Sequence, residues 1–150
     1  MAEALVSVSE AFPLDATHLS VEEFKACARY YEAMDFILYL REDVPYRADR
    51  VGSFLTLLLH PREHRAIGLK IKGCKFLFKQ LQAIIRAQGR ALPDDEFMPL
   101  MSILEVAMTA GMASGMTDHV ERKRLTKSYQ TARAMAKTVR FDPRELKQAA

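Results

Sequence analysis

The spacing of apolar residues in the first third of the chain is the feature that most constrains the fold. Between Val21 and Leu38 these residues recur every three or four positions, which is the period of one helix face. Ser20 is followed three residues later by Glu23, the capping-box pattern of a helix start. The pattern predicts a first helix over about 20–41.

Proline and glycine divide the remaining chain into further segments with helical spacing. The chain contains only six of each, so a loop-rich β architecture is not indicated. Asp118 is placed to cap a helix that follows it. The expected helices span about 45–59, 61–88, 93–115 and 118–140, followed by a short terminal helix from about 142.

One segment carries the opposite signal. Residues 67–73 alternate apolar and polar side chains, as a strand does. The apolar spacing continues from Cys74 through Leu81 and favours a helix, so both interpretations stay open for this segment. The chain of 150 residues is therefore predicted to be an all-α single domain over 17–150, a bundle of four to five helices with a short C-terminal helix and an irregular N-terminal arm at 1–16.

The two cysteines, Cys27 and Cys74, occupy positions with helical core spacing. The chain start lacks a basic, then apolar, secretory pattern, and no run of 18 apolar residues occurs. We therefore expect a cytoplasmic protein that does not enter a membrane, with both thiols reduced and buried.

The charge of the chain is small in total but unevenly distributed. The net charge is +3, yet residues 51–90 contain eight basic residues and one acidic residue. Residues 117–150 contain nine basic and four acidic residues, whereas 1–50 and 91–116 are acidic. Segregated basic segments are typical of a surface that meets an anionic partner, or of a bundle whose faces balance each other.

Two groups of basic residues are the candidate binding residues. The first is predicted on one face of the third helix and the second near the start of the fifth helix. Their members are Lys72, Lys75, Lys79 and Arg86 in the first group, and Arg122, Lys123 and Lys127 in the second. No aromatic residues interleave the first group on the predicted helix, so a base-stacking surface is not expected there.

The segment His60-Pro61-Arg62-Glu63-His64 matches the H-x-x-E-H pattern and thereby resembles the inverzincin metallopeptidases. In that pattern two histidines on one helix bind zinc and the glutamate activates water. Pro61 separates the histidines and places His60 before the helix. His60 and His64 are therefore weak metal candidates, and no metal or cofactor is expected.

The fourth predicted helix carries small and flexible residues on an apolar stripe. Gly111 and Gly115 form a small-xxx-small pair that permits close approach of another helix backbone. Met108 and Met112 lie beside them and can fill irregular contacts. The approaching helix belongs either to the same chain or to a second copy.

The sequence favours a non-enzymatic interaction or regulatory protein over a catalyst. No phosphate-binding glycine loop and no arrangement of a nucleophile with its base is found. The leading hypothesis is a cytoplasmic helical protein that binds another macromolecule, foremost a protein, as a homo-oligomer. Its alternatives are a nucleic-acid-binding protein that uses the basic stripe of the third helix, and a metal-dependent hydrolase at His60, Glu63 and His64.

Overall fold

A five-stranded antiparallel sheet forms the first half of the structure, a computed structural model that describes residues 24–91, 97–113 and 118–149. The strands are β1 (Cys27–Tyr31), β2 (Phe36–Leu40), β3 (Arg47–Arg50), β4 (Leu55–Leu59) and β5 (Ala66–Lys72). Their spatial order is β1-β2-β5-β4-β3, so β5 is central and β1 and β3 are the edges. Every neighbouring pair is antiparallel.

The all-α prediction is wrong. The expected helices over 20–41 and 45–59 are β1 to β4 where the structure describes them, and the first part of the expected third helix is β5. Strand β4 shows why, since four of its five residues are buried in succession. A short, continuous apolar run has no period that separates a buried strand from a helix.

The helical predictions in the second half are confirmed in kind. In the described part of the chain four helices follow the large sheet, and a two-stranded sheet forms from β6 (Met98–Pro99) and β7 (Arg140–Phe141), which lie between helices in the sequence. The helices are α1 (Cys74–Ala87), α2 (Leu100–Ala113), α3 (His119–Ala136) and α4 (Arg144–Ala149). Asp118 caps α3, as predicted, by accepting the N–H of Val120 at 2.9 Å. None of the helices in the described part of the chain has the length and apolar character needed to cross a membrane.

The core lies between the helices and one face of the large sheet, which we call the inner face. Inner-face residues alternate along β1, β2, β4 and β5 and are almost completely buried, whereas β3 has no buried residue. The buried inner-face residues are Ala28, Tyr30, Ile37, Tyr39, Leu55, Leu57, Leu69 and Ile71. The helices contribute Leu77 and Phe78 from α1, Ile103 and Leu104 from α2, and Tyr129 and Ala132 from α3. Each large apolar side chain buried in this way contributes about 1.5–3 kcal/mol.

Asp35 joins two turns at one end of the sheet. It follows a 3-10 turn at Glu32–Met34 and adopts a left-handed backbone with φ of 53°. Its carbonyl oxygen accepts the N–H of Gly73 at 3.1 Å, at the junction of β5 and α1. Gly73 itself has φ of 69°, which glycine adopts without the steric cost a side chain incurs. The β1–β2 turn and the start of α1 are therefore held together.

Candidate functional site

The face of the large sheet that points away from the helices, the outer face, carries an unusual set of side chains. The register of the four strand pairs places its strand positions on one side, alternating with the inner-face ones. The outward positions Thr56 and Leu58 of β4 are themselves buried, so the accessible side chains of this face lie on β1, β2, β5 and β3. The outward positions hold four basic side chains and no acidic one across the five described strands. The basic residues are Arg29, Arg50, Lys70 and Lys72.

Two aromatic side chains lie side by side at one end of this face, and we call them the aromatic row. Tyr31 of β1 pairs with Phe36 of β2, and their ring centroids are 5.2 Å apart at an angle of 40°. Phe36 in turn pairs with Lys72 of β5. Tyr31 is 39% exposed and Phe36 is half-buried, so ring surface is open to solvent.

A second aromatic pair continues this end of the sheet. The N–H of Lys72 donates to the carbonyl of Phe54 at 2.8 Å, so Phe54 follows Lys72 at the same level of the sheet. The ring of Phe54 stacks on that of Phe76 at the start of α1, with centroids 6.0 Å apart and planes within 4°. Phe76 is exposed.

Basic side chains follow the next level of the outer face, and we call them the cationic row. Arg29 pairs with Leu38, Leu38 with Lys70, Lys70 with Thr56, and Thr56 with Arg50. The register therefore aligns Arg29, Lys70 and Arg50 at one level of the sheet, and these three are the members of the row. Thr56, which lies between Lys70 and Arg50, is buried, so Arg50 is separated from the other two. The row lies two residues along the strands from the aromatic row, which is about 7 Å.

Lys70 connects the two rows. Its Nζ lies 4.5 Å from the centroid of the Phe36 ring, within the range of a cation–π interaction. Burial beside the sheet lowers the pKa of Lys70, and the neighbouring Lys72 lowers it further. A partner with negative charge would favour the ammonium form at this position, because it would offset both effects.

The basic residues predicted on the third helix are divided between two elements. Lys72 ends β5 and belongs to the outer face, so the prediction of a single helical stripe is wrong for this residue. Lys75, Lys79 and Arg86 lie on α1, where offsets of four and eleven residues keep them on one helix face. The expectation that no aromatic residue accompanies the lysines also fails, since β-pairing brings Phe36 beside Lys72.

The second predicted basic group lies on the first three turns of α3. Arg122, Lys123 and Lys127 are exposed there. The adjacent Arg124 forms an ion pair with Asp49 of β3, with Nη2 and Oδ1 3.1 Å apart. This contact fixes the start of α3 beside one edge of the sheet.

The histidine motif forms the turn between β4 and β5 and not the start of a helix. His60 Nδ1 accepts the N–H groups of Arg62 at 3.2 Å and Glu63 at 3.1 Å, so a ring nitrogen is used by the turn. His64 Nδ1 lies 3.2 Å from Nη2 of Arg47, a cation that opposes a metal ion. Among the described residues no group of three or more His, Cys, Asp or Glu side chains could hold a metal.

The small-residue pair is described only in part. Gly111 is buried, and a Cβ there would lie 3.7 Å from the hydroxyl of Tyr129 on α3. Its close neighbour is therefore a helix of the same chain, one of the two predicted alternatives. Met108 and Met112 pack against the core, while Gly115 lies outside the described residues.

A groove of about 810 Å³ separates α1 from α2. Its α1 wall carries Phe76 and Ile84, which are 51% and 48% exposed. Its α2 wall is smaller and more polar, with Ser102, Thr109 and Ala113. The groove is on the helical side of the molecule, and Phe76 in its α1 wall is the residue that stacks on Phe54.

Most of the outer face was not predicted from the sequence. Arg29, Tyr31, Phe36, Arg50 and Lys70 were not candidate residues, because a helical interpretation scatters them over different faces. The one available signal was the alternation at 67–73, which separates the lysines from the buried apolar residues. Comparison with protein-family models, curated proteins and solved structures found no match for this chain.

Proposed function

We propose that this protein binds single-stranded nucleic acid on the part of the outer face that β1, β2 and β5 form. The observation that carries the proposal is the aromatic row lying one level from the cationic row, with Lys70 between them. Exposed rings stack with bases, and basic side chains bind phosphates. The two rows separate these two functions in space.

The arrangement favours a single strand over a duplex. Stacking on Tyr31 and Phe36 requires bases whose faces are open, and a duplex hides those faces within its own stack. Each base stacked on an aromatic side chain contributes about 1–3 kcal/mol. The antiparallel register keeps neighbouring stacking positions about 5 Å apart across the strands.

The cationic row supplies the electrostatic part of the interaction. Arg29, Lys70 and Arg50 occupy outward positions on three different strands, and no outward strand position carries a carboxylate that would compete with phosphate. In the free protein Lys70 covers the ring of Phe36. When a base takes its place on the ring, the ammonium group is free to turn to a neighbouring phosphate.

The test is oligonucleotide binding, measured by fluorescence anisotropy at several salt concentrations. We expect Phe36→Leu to lower the affinity for a labelled ten-nucleotide DNA or RNA by roughly 5- to 100-fold, because one stacking contact is lost. Arg29→Gln with Lys70→Gln should also weaken binding of this oligonucleotide. The slope of log affinity against log salt concentration should become shallower by about 1.4, since each phosphate contact on a single strand contributes about 0.7 to that slope.

A matched control comes from the other side of the molecule. Lys79→Gln with Arg86→Gln removes the same charge from α1 and should leave affinity within about twofold, since substitutions there do not touch the outer face. If the control weakens binding as much as the outer-face pair, general positive charge explains the binding and the proposed site is wrong. Absence of binding to any single strand also contradicts the proposal.

A protein partner is the second candidate function, favoured by the exposed Phe76 and Ile84 along the groove between α1 and α2. It continues the leading hypothesis of the sequence, including a homo-oligomer. Light scattering over a range of concentrations tests self-association, and Ile84→Ser should reduce it. A cytoplasmic location is part of both proposals, because Cys27 and Cys74 are free thiols and a reducing compartment keeps thiols in that state.

A further inference from the structure

We propose that the outward side of β4 is a docking surface for residues 1–23, the acidic segment that precedes β1 in the same chain. The observation that carries this inference is the burial of Thr56 and Leu58, which point away from the helices. The inference goes beyond the proposed function and does not depend on it, because β4 lies outside the part of the outer face assigned to nucleic acid.

Leu58 has no exposed surface although its neighbours on the outer face are small. It pairs with Ala48 of β3 on one side and with Gly68 of β5 on the other. Side chains stand roughly perpendicular to a sheet, so a leucine between an alanine and a glycine remains open from above unless another part of the chain covers it. The burial occurs within a single chain, so this cover belongs to the same molecule and not to a second copy.

The cover extends along β4 to Thr56, which is 6% exposed and lies about 7 Å further along the strand. The charged ends of its two cross-strand neighbours are turned elsewhere. Lys70 places its Nζ on the Phe36 ring, and Nε of Arg50 donates to the carbonyl of Gly52 at 3.3 Å. The connection from β2 to β3 begins and ends at the level of the last residues of β4, so the cover over this position comes from another part of the chain.

Residues 1–23 have the charge that this surface favours. They contain five acidic residues and no lysine or arginine. Lys70 and Arg50 border the surface on either side, and the outward positions of the five described strands include no carboxylate. Charge complementarity of this kind fixes the register in which two surfaces meet. The acidic segment therefore suits the space between these two cations.

Residues 1–23 are also the part of the chain placed to reach β4. In the sheet order, β4 is three strand spacings from β1, which is about 14 Å. About five extended residues span this distance, so the segment is long enough to cross it and to extend along β4. Residues 92–96 and 114–117 stand in the sequence between elements that pack on the inner side, so they are not candidates.

The first experiment measures whether the surface is covered in the full chain. Thr56→Cys in a Cys27→Ser background places one thiol on the outward side of β4, while Cys74 is buried and its raised pKa keeps it unreactive. Ellman's reagent should modify the thiol at position 56 more than about tenfold more slowly than it modifies the exposed Cys27 of the wild type. Labelling as fast as that of Cys27 overturns the proposal.

Substitutions in the segment identify the occupant. Leu5→Ser with Phe12→Ser and Leu14→Ser, in the same background, should accelerate labelling at position 56 by more than about tenfold, because the apolar contacts of the segment are lost. The matched control, Ile84→Ser with Val120→Ser, removes exposed apolar residues from the helices and should change the rate by less than about twofold. Circular dichroism verifies that each variant is folded. An unchanged rate in the segment variant excludes this segment as the cover.

A second measurement uses the protein without substitutions. A carbodiimide joins carboxylates to nearby amines, so mass spectrometry should find cross-links from the segment to Lys70 or Lys72 and not to Lys79 of α1 or Lys127 of α3. An equal mixture of unlabelled and isotopically labelled chains separates contacts within one chain from those between copies. Cross-links that join two copies, or the absence of any to the outer-face lysines, overturn the proposal. Neither outcome alters the test of oligonucleotide binding, so the two proposals stand or fail separately.

Discussion

The hydroxyl of Tyr30 donates a 2.8 Å hydrogen bond to Oδ1 of Asp35, and the same oxygen accepts the backbone N–H of Lys75 at 3.0 Å. One carboxylate therefore connects an inner-face residue of β1, the β1–β2 turn and the first turn of α1. Tyr31 and Phe36 flank this turn, so their separation depends on it. The position of the aromatic row therefore depends on the hydrogen bond between Tyr30 and Asp35, which lies on the inner side of the sheet.

We expect Asp35→Ala to lower the free energy of unfolding by roughly 2–4 kcal/mol. Both hydrogen bonds are lost, the Tyr30 hydroxyl is left without its partner, and alanine does not favour a φ of 53°. Asp35→Asn is the matched control, because its carbonyl oxygen can accept the same bonds and asparagine tolerates this backbone conformation. Urea denaturation measures both variants. An alanine variant as stable as the asparagine variant would contradict the structural role given to this side chain.

The stability of the protein should decline at alkaline pH. Burial raises the pKa of Tyr30 well above its usual range, and the hydrogen bond to Asp35 raises it further. The folded state then retains a proton that the unfolded state releases above about pH 10, so its contribution is complete below that pH and is lost as the pH rises. Tyr30→Phe should reduce the alkaline slope of the unfolding free energy by up to about 1.4 kcal/mol per pH unit.

Tyr31→Phe serves as the control for that measurement, since it removes the exposed phenol of the neighbouring residue. The assignment to Tyr30 is wrong if both phenylalanine variants change the slope equally.

The two cysteines should differ sharply towards a thiol reagent. Burial raises the pKa of Cys74 to about 12, and its Sγ lies 3.1 Å from the carbonyl of Ile71. Cys27 is exposed on β1, contrary to the core position expected from the sequence. Ellman's reagent at pH 8 should therefore modify one thiol rapidly in the folded protein and two after denaturation. In Cys27→Ser the rapid reaction should disappear, and fast labelling of that variant would exclude the buried environment of Cys74.

Gly111 should respond in opposite directions to two substitutions. A Cβ there meets the Tyr129 hydroxyl at 3.7 Å, an ordinary packing distance, and alanine favours a helix over glycine by about 1 kcal/mol. Gly111→Ala should therefore be neutral or stabilising by up to about 1 kcal/mol, whereas Gly111→Leu should cost about 1–3 kcal/mol by overpacking. Thermal unfolding measures both, and an alanine variant that loses stability would contradict this packing.

Gly68 provides the contrasting control. A Cβ at this position in β5 would lie 2.3 Å from the carbonyl oxygen of Tyr39, a distance that requires the backbone to move. Gly68→Ala should thus destabilise the protein although glycine to alanine is the same chemical change. Equal effects at Gly68 and Gly111 would show that helix and strand packing do not decide the outcome.

The sequence predicts the second half of the fold better than the first because its signals there are local. Helices α2 and α3 extend over 14 and 18 residues, long enough for their pattern to be seen, and Asp118 provides its cap within two residues. Strands β2 and β4 have only five residues each. Such short apolar runs fit either period, and their identity is decided by partners elsewhere in the chain.

The candidate site could not be predicted for the same reason. Phe36 and Lys72 are far apart in the sequence, because β3 and β4 lie between their strands. They become neighbours only when β2 pairs with β5. Arg29 and Arg50 belong to one row only because the strand order is β1-β2-β5-β4-β3. Individual basic residues such as Lys123 could be identified, since exposure of a helical lysine needs no distant partner.

Apolar and basic residues alternate along β5 as Leu69, Lys70, Ile71 and Lys72, so only one pairing register of this strand buries the apolar side chains and exposes the lysines. A slip of one residue would turn both ammonium groups into the apolar core and expose the leucine and isoleucine to water. Such a misaligned chain would be unstable and would also lack both rows of the outer face. If the proposed function holds, an oligonucleotide column should retain the correctly registered molecules, whereas the misregistered fraction of a preparation should pass through it.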